Sequence, residues 1–189
     1  MKIKYIIIFF GILISFTFCK QIDSNKEIKK TIYQCKDLGW TINVPENWKI
    51  THQNILNNST KKDFSEYNEL IGFHKEKDTL NYFFATAQYY KNEHINELKE
   101  SHKKFKKLLY DEYTNMEMKV DTSSSIKIID HLDFNVFHIE LSEINGNLIQ
   151  FQDIYSRYIN NYDFSVNITY KKEKEKNELL NIWENSKFK

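Results

Sequence analysis

Asn145-Gly146 stands between two stretches of alternating apolar residues, and no other feature narrows the folds open to this chain so far. A two-residue type I′ turn needs φ > 0 at both positions, which Asn-Gly supplies at little steric cost, so the dipeptide predicts a hairpin that pairs 144 with 147. Asn160-Asn161 is a weaker version of the same signal. The two turns together predict a three-stranded antiparallel meander, and because strand side chains alternate they also assign faces. Phe134, Val136, His138, Phe151, Asp153, Tyr155, Phe164, Val166, Ile168 and Tyr170 fall on one of them. Most of that set reads as core. Its polar members His138 and Asp153 come out directly opposite each other across the hairpin. A carboxylate alone among Phe151, Val166 and Ile168 is costly, so a buried hydrogen-bonded His138–Asp153 pair is expected.

Other segments read around this meander. Thr31-Tyr33-Cys35 and Trp40-Ile42-Val44 alternate about a Lys36-Asp37-Leu38-Gly39 turn, and Pro45 ends the second strand by removing a ladder donor. The polar stretch 53–68 reads as a long surface loop, followed by strands at Leu70–Lys75 and Asn81–Tyr90. From Glu93 to Met116 the period becomes helical, with Ile95, Leu98, Phe105, Leu108, Leu109 and Met116 near one stripe. Lys103, Lys104, Lys106 and Lys107 then read as a solvated face. Asp121-Thr122-Ser123-Ser124-Ser125 reads as a loop before a strand at Ile126–Asp130, and a last helix from Lys174 to Ser186 turns Leu179, Ile182 and Trp183 inward.

The amino terminus carries a different message. Lys2 and Lys4 precede an uncharged run from Tyr5 to Phe18, the basic and apolar regions of an export signal. About 14 residues fall short of the roughly 20 that span a bilayer as a helix. Residues 1–18 are therefore expected to be a signal peptide, residues 19–29 a modified cysteine and tether, and residues 30–189 a single globular domain. Cys19, within Phe16-Thr17-Phe18-Cys19-Lys20, resembles the invariant cysteine of a bacterial lipobox, although Phe18 occupies the place where a small residue is usual. The resemblance implies lipidation at Cys19 and a cell-envelope location anchored outside the cytoplasm, or secretion if Cys19 is not acylated. More than one acyl chain holds a protein on a membrane stably.

Composition closes several routes. Removing Lys2 and Lys4 from the 27 basic residues leaves them one short of the 26 acidic ones, so no nucleic-acid partner is expected. Cys19 and Cys35 are the only cysteines, which excludes a disulfide framework and makes Cys35 a buried thiol. Six histidines are scattered at 52, 74, 94, 102, 131 and 138 without zinc-ligand spacing, and four glycines provide no phosphate-cradling loop. No metal, no cofactor and no catalytic set is expected.

Gly39-Trp40-Thr41-Ile42-Asn43-Val44-Pro45-Glu46-Asn47-Trp48 resembles the opening of PsbP-like domains, and the order of the later elements is similar over about residues 30–188. The resemblance implies an α+β fold, an α/β/α sandwich around an antiparallel sheet with helices packed on it. It also implies a binding or assembly protein, since members include a photosystem subunit, a Ran-binding factor, envelope lipoproteins and chaperones of secreted effectors. Fold alone assigns none of these roles. Two readings follow. In the first the chain is a non-catalytic lipoprotein that binds a protein partner or small apolar ligand, with Tyr89, Tyr90, Tyr158 and Tyr162 as the partner surface. In the second it is an envelope enzyme that uses His138 and Asp153 as an acid–base couple.

Overall fold

Pairing of the alternating segments dominates the computed structural model, which describes residues 30–54, 56, 67–91 and 94–189. The expected signal peptide, Cys19 and the tether lie outside the described residues. In chain order the elements are β1 (Lys30–Cys35), β2 (Trp40–Pro45), β3 (Trp48–Gln53), β4 (Asn68–Lys75), β5 (Asp78–Tyr89) and α1 (Ile95–Asn115). They continue with β6 (Met118–Ile129), β7 (Leu132–Glu143), β8 (Leu148–Ile159), β9 (Tyr162–Tyr170), α2 (Glu173–Glu184) and β10 (Lys187–Phe188). Seven strands make an antiparallel sheet in the order β3-β4-β5-β9-β8-β7-β6, and β1-β2-β10 make a second. Among the described residues no helix is long and apolar enough to cross a membrane.

The expected meander register is present, and one of its two turns is not what the sequence suggested. His138 faces Asp153, and Asp153 faces Ile168. Asn160 and Asn161 both have φ > 0, as do Asp130 and His131, and these pairs form the two-residue turns after β8 and β6. Asn145-Gly146 does not. There Gly146 N–H donates to Glu143 O at 2.8 Å, Gly146 alone has φ > 0, and Ile144, Asn145 and Gly146 form a three-residue loop. That loop shifts the pairing by one residue, and an irregularity between Leu141 and Ser142, where Ile149 is extra on β8, shifts it back.

Alternation gives the large sheet two unlike faces. Phe83, Ala85, Phe134, Val136, Tyr155, Phe164, Val166 and Ile168 form the main core with Leu179, Ile182 and Trp183 of α2 and Trp40 of the small sheet. On the opposite face Phe137, Ile139, Leu141 and Ile154 form a smaller cluster, covered by Leu109 and Tyr113 of α1. The helix stripe read from sequence is therefore only half inward: Leu98 is buried, whereas Phe105, Leu108 and Met116 stay exposed. The sequence reading missed β3 and the short β10, and caught only the second half of β6. β3 follows Pro45 after a two-residue turn, and Asp121–Ser125, read as a loop, lies within β6.

Burial raises the hydroxyl pKa of Tyr33, Tyr155 and Tyr170 well above the ordinary range, with the nearby Asp153 carboxylate adding to it for the last two. Burial likewise pushes the Cys35 thiol up. The folded chain thus holds protons that the unfolded chain releases. The stabilisation is fully present below about pH 8.5 and fades as pH rises through the ordinary thiol and phenol values and beyond. The urea midpoint is expected to fall between about pH 8 and about pH 10.5, and native Cys35 to resist Ellman's reagent at pH 8 until urea unfolds the protein. Reaction of native Cys35 at the rate of a free thiol would refute the burial.

Candidate functional site

The face of the sheet beneath the amino-terminal half of α1 is built from small polar residues. Thr86 of β5, Ser165 of β9, Ser156 of β8 and Asn135 of β7 stand opposite one another in a single cross-strand row. The next row holds Phe84, Asn167, Ile154, Phe137 and, on β6, Ser124. With strands about 4.8 Å apart, the first row runs roughly 14 Å. Short serine and threonine side chains cannot fill the space under a helix that larger neighbours hold off. A cavity of about 740 Å³, partly open to solvent, results.

Its roof is α1. Asn96, Lys99, Lys103 and Lys106 are three or four residues apart, on one side of the helix, and all line the cavity with Phe105 and Glu100. Lys106 Nζ donates to Ser124 Oγ at 3.0 Å and lies 4.7 Å from the centre of the Phe137 ring, so it spans from helix to edge strand. Lys103 pairs with Glu100 at 2.7 Å and lowers the pKa of that carboxyl. Lys99 has no ion pair with any described residue. The lysines read as a solvated face thus divide: Lys103 and Lys106 border the cavity, while Lys104 and Lys107 do not.

Asp163 pins this helix. It is fully buried, and its Oδ2 lies 2.9 Å from His102 Nε2 of α1 and accepts from Tyr67 Oη at 3.0 Å. Its Oδ1 is buried without a partner among the described residues. His102 and Tyr67 both line the cavity, whereas Asp163 sits behind them. The sequence reading missed this network because Asp163 and His102 are far apart in the chain. The available signal was the run of alternate polar residues Asp163, Ser165, Asn167 and Thr169, on a strand whose other residues are aromatic or aliphatic.

His138 and Asp153 lie on the opposite, α2-facing side. His138 Nδ1 is 2.5 Å from Asp153 Oδ1, Tyr170 Oη donates to Oδ2 at 3.1 Å, and the His138 ring stacks on Phe151 at 5.8 Å. Asp153 is buried but the His138 side chain is 33% exposed, so the expected pair is buried on one side only, and neither residue lines the cavity. Of the four tyrosines expected at a partner surface, Tyr162 is not at the surface. It is 1% exposed because it begins the inward series Tyr162, Phe164 and Val166, and its hydroxyl donates to Asp37 Oδ2. Tyr89 packs against it at 5.3 Å. Tyr158 Oη donates to Tyr90 O at 3.0 Å, so Tyr89, Tyr90 and Tyr158 form a half-buried cluster at the end of the meander. Cys19 lies outside the described residues. Among the described residues no three His, Cys, Asp or Glu side chains gather as metal ligands.

An antiparallel seven-stranded sheet with α1 on one face, and α2 with a three-stranded sheet on the other, is a PsbP-like α/β/α sandwich of the α+β class. The solution structure of cyanobacterial PsbP (CyanoP) from Synechocystis sp. PCC 6803 is similar to this chain, with a TM-score of 0.61. The likeness covers 88% of this chain and 96% of that one, at 7% identity, and is one of fold. No family model and no curated protein matches the sequence.

Proposed function

We propose that this chain is an exported cell-envelope lipoprotein that works by binding, and that it holds a small ligand with an apolar body in the cavity beneath α1. The observation that carries the reading is the cavity itself. Its volume falls in the range of small-molecule sites, and apolar Phe84, Ile154 and Phe137 adjoin a row of neutral hydrogen-bonding groups that can orient a bound molecule. Export and the anchor at Cys19 are supported by the basic and apolar regions that precede that thiol. Cys19→Ser is expected to abolish incorporation of an alkynyl fatty acid, and equal labelling of both forms would refute the anchor.

Titration of the purified protein with 1-N-phenylnaphthylamine tests the cavity. Saturable binding of one probe per chain is expected, and Ser165→Trp, which places an indole in the cavity floor, is expected to weaken it at least about tenfold with the same circular dichroism spectrum. Undetectable binding by the parent, or equal binding by both proteins, would overturn the assignment.

A further inference from the structure

We infer that the cavity beneath α1 selects an organic anion: an apolar body lies along the Phe84, Ile154 and Phe137 row, and a carboxylate or phosphate group sits at Lys99 and Lys106. The inference rests on the reading that the cavity binds a small ligand, and adds the charge of that ligand.

Charge around the cavity is one-sided. Every residue that the sheet contributes to the lining is neutral, among them Thr86, Ser156, Ser165, Asn135 and Asn167. Among the described lining residues the formal charges all lie on α1, with three lysines against one glutamate. Glu100 is already met by Lys103, and Asp163 behind the wall by His102 and Tyr67. Among the described residues Lys99 has no anionic partner, and Lys106 has only the neutral Ser124 hydroxyl and the Phe137 ring. Among the described lining residues the one carboxylate is Glu100, which Lys103 already meets, so a cationic ligand gains little from the lining. A neutral one leaves both ammonium groups without a role. An anion gains from both and takes further hydrogen bonds from the hydroxyl row.

The pose of the helix points the same way. Hydrophobic burial alone turns leucine inward and lysine outward, yet α1 leaves Leu108 60% exposed while Lys106 is partly buried against Ser124 and the Phe137 ring, and the exposed Lys99 and Lys103 also border the cavity. Leu98, Leu109, Tyr113 and the His102–Asp163 contact hold it so.

The test uses the purified full chain and two fluorescent probes with the same body, cis-parinaric acid and its neutral methyl ester. The acid is expected to bind about tenfold more tightly than the ester, with a preference that shrinks as salt is added. Lys99→Gln/Lys106→Gln is expected to remove the preference by weakening the acid and leaving the ester unchanged. Lys99→Gln alone, at an exposed side chain, is expected to remove part of it. Lys104→Gln, outside the cavity, is expected to leave it intact. Competition by decanoate and by decyl phosphate then separates carboxylate from phosphate head groups, and displacement by either supports the inference over decanol. Equal binding of acid and ester overturns the anion preference and leaves the cavity reading standing. Binding of neither probe overturns both. Loss of the preference in Lys104→Gln overturns the assignment to the cavity lysines in favour of overall charge.

Discussion

Trp183→Ala is expected to destabilise the domain by about 4 kcal/mol, a large part of the roughly 5–15 kcal/mol that holds a domain of this size folded. The indole is fully buried on α2 and sits 5.2 Å from Phe134, 5.7 Å from Tyr155 and 6.2 Å from each of Trp40, Phe83, Phe164 and Phe188. It therefore joins α2, the small sheet and the large sheet, and truncation opens a void that rigid rings on every side cannot close. Its Nε1 has no acceptor among the described residues. Trp183→Phe removes that unpaired donor as well as volume, and is expected to cost clearly less than alanine. Urea midpoints followed by circular dichroism at constant slope measure both. A Trp183→Ala midpoint within about 1 kcal/mol of the parent would show that α2 does not close the core.

Asp153→Ala is expected to cost about 2 kcal/mol, because it leaves the buried Tyr170 hydroxyl unpaired and takes the partner from a half-buried His138. Tyr170 Oη, in a residue 2% exposed, loses its acceptor, and His138 Nδ1 loses the carboxylate beside it. Tyr170 cannot reach water beneath Phe151, which stacks on both rings, whereas the His138 side chain is 33% exposed and can be solvated, so most of the cost falls on Tyr170. The cost lies in the groups left behind rather than in the bonds themselves. Asp153→Leu combined with His138→Leu and Tyr170→Phe is accordingly expected to recover most of the loss, since no buried polar group remains. A triple variant as unstable as Asp153→Ala would mean that packing, not hydrogen bonding, sets the penalty.

The His138–Asp153 contact was legible because a strand's two-residue period is a strong constraint once any pairing is known. The register came out right although Asn145-Gly146 formed a longer loop, since the extra residue Ile149 compensated for it downstream. β6 was not legible as a whole. As an edge strand it is exposed on both faces from Asp121 to Ile128, so no burial imposes alternation there, and its serines read as turn residues. The cavity escaped for a related reason. Thr86, Ser165, Ser156 and Asn135 are the residues a strand shows to water, and whether a helix stands off above them is decided by contacts remote in sequence, such as His102 with Asp163.

The central place of β9 bears on the order in which this chain can assemble. β5 pairs along its length with β9, from Tyr89 with Tyr162 to Tyr82 with Thr169, and β2 receives β10 from the last residues of the chain. While the first half is being synthesised, β5 has an open edge and Trp40 lacks Phe164 and Trp183. Early collapse gains little, because most of the partners have not yet been made. Folding is therefore expected to be slow, governed by distant pairing and completed only after the final helix is present. A nascent chain held back in this way stays threadable until its end has emerged, a condition that transport in extended form through a narrow channel also imposes.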